Sequence, residues 1–148
     1  MSDVSYAESV EVASPVLTCY RHRLDYGANL EAVNPNVTNL SRTDGGNAPG
    51  VGATYKFDVV IEGLGAIPTT LTVTEAVEPT RVVNDIDAGL VAHEVCTFTE
   101  IPGGTLVEIA ATVAVPDDTD DAGRAFVEDS GRAQIRLELD TMKALLES

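Results

Sequence analysis

Three polar side chains, Ser130, Gln134 and Glu138, recur at four-residue intervals inside an otherwise apolar stretch near the end of the chain. On a helix that spacing stacks them in one row. A carboxylate facing a closed apolar space holds its proton more tightly than one in water, and it then serves as a general acid or base or anchors a donor on a ligand. If the row instead lies at the margin of the fold, Glu138 reaches water and does neither. His93 and Cys96 stand three apart in an alternating run. On a strand they face opposite sides and cannot form a nucleophile–base pair. His93 keeps parity with Val95, and Cys96 with Glu94 and Phe98; parity alone does not say which face looks inward. Tyr55, in another alternating run, adds a phenol, so Glu138, Tyr55 and His93 are the candidates for moving protons. Arg21-His22-Arg23 is the one basic cluster. It pairs with surface carboxylates or marks a docking spot for an acidic ligand. No nucleophile elbow, phosphate loop, dinucleotide fingerprint or metal-ligand spacing occurs. The two cysteines, Cys19 and Cys96, make no disulfide framework and read as buried thiols. No metal and no cofactor is expected.

The elements that would position these groups follow from periodicity. Tyr6 to Ser14 alternates as a strand with one buried face. Ser14-Pro15 reads as a cap followed by proline at the first helical position, opening a short helix to about Arg23. A second short helix over Gly27 to Val33 ends before Asn34-Pro35. Strands are expected over Val37–Thr43, Ala53–Ile61, Thr69–Val77, Arg81–Asp87, Val91–Glu100 and Thr105–Val115, with Pro102-Gly103-Gly104 as the last hairpin. Tyr55, Phe57, Val59 and Ile61 share one face, as do Val107, Ile109, Ala111 and Val113. From Asp121 to Ser148 no proline intervenes, and the carboxylates of Asp117 to Asp121 suit a helix start. On that helix Asp129, Arg132, Arg136, Asp140, Lys143 and Glu147 form a narrow polar stripe. The remaining arc, including Phe126, Leu137 and Leu139, is so widely apolar that it calls for a curved antiparallel sheet around it.

The 148 residues predict one domain able to bury a substantial core. Twenty-four acidic against nine basic side chains give a net charge of −15. A surface this negative repels phosphates, which excludes nucleic acid as a partner. Only Lys56 and Lys143 are lysines. That balance fits a protein kept soluble in very high salt, or equally a GC-rich genome that favours Arg and Asp codons. No apolar run is long enough for membrane insertion, and the opening Met1-Ser2-Asp3-Val4 lacks a secretory pattern, so a cytoplasmic address is expected.

The order strand, two short helices, about six further antiparallel strands and a long terminal helix resembles the START-like superfamily. This is the helix-grip fold of the birch-pollen allergen and polyketide cyclase/dehydrase-like proteins. The matching pieces are Val10-Glu11-Val12-Ala13-Ser14-Pro15, Pro49-Gly50-Val51-Gly52, Thr74-Glu75, Glu78-Pro79-Thr80-Arg81, Gly103-Gly104-Thr105 and the tail Met142 to Leu146. Nearly the whole chain is covered. Where many bacterial members carry a tryptophan or bulky aromatic after the second short helix, this chain has Asn34-Pro35-Asn36. The resemblance implies an α+β helix-grip fold: a strongly curved sheet of about seven strands around the long helix, enclosing an apolar cavity. The implied partner is a hydrophobic small molecule, lipid or polyketide-like, bound by a monomer or homodimer. Lining candidates are Tyr55, Phe57, Val59, Ile61, Phe98, Val107, Ile109, Phe126, Ser130, Gln134, Leu137 and Glu138. A cyclase/dehydratase activity is the alternative. A partner-binding scaffold, as in co-chaperone or toxin–antitoxin relatives, is a third.

Overall fold

A computed structural model describes residues 2–148. Strand β1 (Ser2–Val12) leads through two short helices, α1 (Val16–Leu24) and α2 (Tyr26–Val33), into β2 (Val37–Arg42). Then come β3 (Thr54–Ile61), β4 (Gly65–Val77), β5 (Arg81–Asp87), β6 (Val91–Ile101) and β7 (Gly104–Val115), followed by α3 (Asp121–Glu147). The elements expected from periodicity are all present, with shifted ends. Residues 2–5 extend β1 because their backbone continues the pairing with β7 as far as Val115. β4 starts at Gly65, not Thr69, since the β3–β4 hairpin closes tightly at the Ile61–Gly65 pair. Ser14 does not cap α1: Pro15 occupies the cap position without a side-chain bond, and its carbonyl accepts Cys19 N at 3.1 Å. Asp25 caps α2 by accepting Ala28 N, and Asp120 caps α3 by accepting Gly123 N at 2.8 Å.

All seven strands form one antiparallel sheet in the order β1-β7-β6-β5-β4-β3-β2. Register shifts in β2 and in β4, between Val73 and Glu75, help bend it. α1 and α2 cover one end of the concave face. Gly104, at the start of β7, sits so close to the Val12 carbonyl that a Cβ there would collide with backbone. The β6–β7 hairpin can therefore press against the end of β1.

α3 packs chiefly against β1, the edge strand. Its polar stripe is a fastening. Arg124 Nη2, Arg132 Nη1, Arg136 Nη1 and Lys143 Nζ donate to the carbonyls of Asp3, Ala7, Ser9 and Glu11 at 2.7, 3.0, 2.9 and 2.7 Å. At the far end Glu147 Oε2 accepts Ala13 N at 2.8 Å. An edge strand otherwise offers a row of unpaired groups to any passing strand, and side chains from α3 occupy them here. The apolar arc is gripped less completely than expected. Ile135, Leu139 and Met142 are buried, whereas Phe126 is 42% and Leu145 45% exposed. The C-terminal half of α3 is seated on packed core, and its N-terminal half stands over open space. Among the described residues no helix is long and apolar enough to cross a membrane.

Arg136→Ala removes a contact to the edge carbonyl of Ser9 and an ion pair with Asp140. It should lower stability by about 1 kcal/mol in urea unfolding at low ionic strength. The deficit should shrink in concentrated salt, which screens the pairing. An unchanged midpoint at low salt would show that the fastening contributes nothing.

Candidate functional site

The buried core falls into two zones. Under α1, α2 and the C-terminal half of α3 it is packed solid: Cys19, Val73, Val82, Cys96, Val107 and Ile109 have no accessible surface. Only a void of about 10 Å³ remains there, beside Ile109, Leu139 and Met142, on the order of one water molecule. Beyond it, between the concave sheet and the N-terminal half of α3, lies a cavity of about 250 Å³. That is just under the roughly 300–1,000 Å³ typical of ligand sites. Its walls are mainly aliphatic and aromatic. Phe57, Val59 and Ile61 come from β3, Ile67 and Leu71 from β4, Ile86 from β5, Ala92 from β6 and Val113 from β7. Phe126, Val127, Ser130, Gln134, Ile135 and Glu138 come from α3. Leu64, at the β3–β4 tip and 57% exposed, and Phe126 mark its mouth.

The inner end is polar. Arg23, on α1, is buried and divides its guanidinium between two carboxylates: Nη2 donates to Glu94 Oε1 and Nη1 to Glu138 Oε1, both at 2.6 Å. Asn34 Nδ2 donates to Gln134 Oε1 and Glu138 Oε2 at 2.9 Å each. Asn84 Nδ2 donates to Tyr26 Oη at 2.5 Å and to Glu94 Oε1 at 3.2 Å. The Tyr26 ring also lies 5.1 Å below the guanidinium carbon. Burial pushes Glu94 above the ordinary glutamate range; Arg23 pulls the other way, and Glu138 adds repulsion. Burial works against the charge on Arg23, yet Tyr26, Glu138 and Glu94 together hold it protonated. Burial also raises Tyr26, and it pushes the Cys96 thiol up to about 12, so that thiol is an inert part of the core. Tyr6, on β1, faces the same cavity, and its hydroxyl has no partner among the described residues. Burial, with the charges of Glu94 and Glu138, pushes it up to about 12.

No family model and no curated protein matches the sequence. Solved structures do match. The di-domain ARO/CYC StfQ from the steffimycin biosynthetic pathway superposes with a TM-score of 0.81 at 18% identity, over 98% of this chain and 51% of that one. The chain thus spans about half of that protein. KanY gives 0.78 at 15% identity over the full length of both chains, and Ara h 8.0201 gives 0.74 at 14% identity over 98% of each. The chain shares the fold of these structures, the helix-grip fold.

Within this helix-grip fold the sequence candidates separate. Phe57, Val59, Ile61, Phe126, Ser130, Gln134 and Glu138 line the cavity. Tyr55, Phe98, Val107 and Ile109 do point inward, but they lie outside the cavity because the helices cover their end of the sheet. Tyr55 meets the Tyr26 ring edge-on, and Phe98 meets Tyr20. Leu137, one residue before Glu138 and so turned about 100° from it, is half-buried and lines neither space. His93 lies on the convex face, 56% exposed, with Nδ1 2.9 Å from Asp85 Oδ1. The Ser130 hydroxyl donates back to the Phe126 carbonyl at 2.7 Å. Glu138 does not stand alone among apolar groups; Arg23 and Asn34 engage both its oxygens. Sequence reasoning missed Arg23, Glu94, Asn34, Tyr26, Asn84 and Tyr6. A signal existed for Glu94, which keeps parity with the inward residues Cys96 and Phe98. None existed for Arg23, whose neighbour Arg21 is an exposed partner of Glu78.

Arg23→Met strips Glu94 and Glu138 of their shared cation and should cost about 3–5 kcal/mol in denaturant unfolding. Glu94 binds its proton more tightly folded than unfolded, so its contribution is complete below pH 4.5 and is lost as pH rises through its raised folded value. Between those points wild-type stability should fall with pH by up to about 1.4 kcal/mol per unit relative to Glu94→Gln. Parallel profiles for the two proteins would contradict this.

Proposed function

We propose that this chain, acting as one domain, binds a hydrophobic small molecule, lipid or polyketide-like, between the concave sheet and the N-terminal half of α3. The observation that carries the reading is an open space of about 250 Å³ between sheet and helix, with apolar walls and a polar cluster at its inner end. Apolar burial at roughly 25 cal/mol per Å² supplies the affinity, and the polar end fixes orientation. Solved neighbours of the same fold include a di-domain ARO/CYC from a biosynthetic pathway, which supports a polyketide-like molecule as the kind of ligand.

A second reading, an enzyme of the cyclase/dehydratase type, draws on a different observation. Tyr6, Arg23, Glu94 and Glu138 all line one cavity, and acid–base chemistry needs at least two such groups converging on a substrate. A partner-binding scaffold predicts a filled interior, and the open space argues against it.

Native mass spectrometry of protein purified without detergent should reveal a co-purified apolar mass, and the neutral dye N-phenyl-1-naphthylamine should bind in its place with a gain in fluorescence. Ala92→Phe, which puts a ring into the cavity from β6, should weaken dye binding at least about tenfold while leaving the melting temperature near wild type. No dye uptake by the wild type, or full uptake by the variant, would refute the cavity reading.

A further inference from the structure

The polar groups at the inner end differ in how much of their hydrogen-bonding capacity the protein already uses. Each oxygen of Glu138 already meets a donor, Arg23 on Oε1 and Asn34 on Oε2. Asn34 spends its amide nitrogen on Gln134 and Glu138, and its oxygen accepts Asn36 N at 3.1 Å. On Glu94 the two donors, Arg23 and Asn84, both land on Oε1. Among the described residues no donor reaches Glu94 Oε2, although the side chain is only 8% exposed and lines the cavity. It is not among the sealed, unpartnered atoms, so Oε2 keeps its surface toward the open space. Tyr6 lines that space too, its hydroxyl set close against Gly131 of α3 and likewise without a hydrogen-bond partner among the described residues.

Strand register explains why these two atoms meet. Tyr6 on β1 is opposite Ala111 on β7, Ala111 is opposite Glu94 on β6, and Glu94 is opposite Asn84 on β5. The four form one row across the concave face, and only a methyl group separates Tyr6 from Glu94. Two strand spacings put their backbones about 10 Å apart, within reach of one polar group held between the side-chain tips.

Charge accounting says what that pair offers. One guanidinium faces the buried carboxyl of Glu94 and the partly buried carboxyl of Glu138, and an uncompensated buried charge costs several kcal/mol. The cluster therefore retains one proton. Both oxygens of Glu138 already face donors and leave no place for it, whereas Glu94 Oε2 is open. The charged and titratable groups around Glu94 are Tyr6 from β1, Arg23 from α1, Tyr26 from α2, Cys96 from β6 and Glu138 from α3. Arg23 is the one cation among them.

We propose that Glu94 carries the proton on Oε2 and, together with the Tyr6 hydroxyl, forms a two-donor site for an uncharged carbonyl oxygen of the ligand, such as a ketone, quinone or acyl oxygen. This deepens the reading given under Proposed function and rests on it. A carboxylate ligand is disfavoured, because Arg23 already faces the carboxyl groups of both Glu94 and Glu138. The raised proton affinity of Glu94 agrees with this assignment, as does that of Tyr6, which keeps its hydroxyl a donor throughout the working pH range.

The test compares three probes of similar shape: 2-acetonaphthone, 2-isopropylnaphthalene and 2-naphthylmethylammonium. Dissociation constants are measured for the wild type, Tyr6→Phe and Glu94→Gln, with the infrared carbonyl stretch of the bound ketone as a second readout. The ketone should bind the wild type about tenfold or more tighter than the hydrocarbon, with its carbonyl stretch shifted to lower frequency. Tyr6→Phe should remove most of that preference and reduce the shift, weakening the ketone more than the hydrocarbon. Ketone affinity should fall as pH rises through the titration of Glu94, and Glu94→Gln should abolish that dependence. Equal affinity for ketone and hydrocarbon, with an unshifted stretch, would overturn the two-donor site while leaving the cavity reading standing. Preference for the ammonium would overturn it too, by showing Glu94 ionised. Failure of all three probes to bind would bring down both readings.

Discussion

One guanidinium shared by a buried carboxyl and a partly buried one organises the interior of this protein. Arg23 comes from α1, Glu94 from the middle of the sheet and Glu138 from α3, so the 2.6 Å contacts tie the short helices, the sheet and the long helix together at one point. A buried ion pair is weak evidence for stability, because desolvation offsets most of the Coulombic gain. Its consequence here is positional. The cluster cannot be moved or halved without stranding a charge, so the boundary between packed core and open cavity is fixed where it stands. On one side aliphatic side chains fill the space to the limit; on the other, the same strands face a void with polar groups at its inner end.

The second constraint is the row of cations along α3. A helix that grips a sheet only through apolar contact would have to sink its whole length into the core and leave no cavity. Here Arg124, Arg132, Arg136 and Lys143 hold α3 to the carbonyls of the edge strand. The N-terminal half can thus span open space without being pulled into it. The fastening also consumes four of the nine basic side chains in a chain of net charge −15. With Arg23 committed inside, few cations remain to balance the acidic exterior.

The fold was legible because each signal is local and repeated: alternation in the strands, a long stretch free of proline, and glycines at the turns. The site was legible only in part. Phe57, Val59, Ile61, Gln134 and Glu138 follow from face and period, and the structure does bring them to one space. What periodicity cannot give is position along a strand. Tyr55 and Phe57 share a face, yet α2 covers one and leaves the other facing the void. Phe98 and Glu94 share a face in the same way, and α1 covers Phe98. Arg23 was illegible for a different reason. A buried arginine depends on partners 71 and 115 residues away, and nothing in Arg21-His22-Arg23 marks which side chain turns inward. The Asn34-Pro35-Asn36 segment supplies Asn34 to the cluster through contacts that only the folded chain reveals.

The account depends most on the Arg23 cluster keeping one more proton than its three side chains would hold in water, with Glu94 as the carrier. The most direct measurement is the carboxyl-carbon resonance of Glu94, followed by ¹³C NMR from acid to alkaline pH in the folded protein. The account predicts a midpoint clearly above the ordinary 4.5 of a glutamate. A midpoint at or below that value, with Glu94 a plain carboxylate through neutral pH, would contradict it.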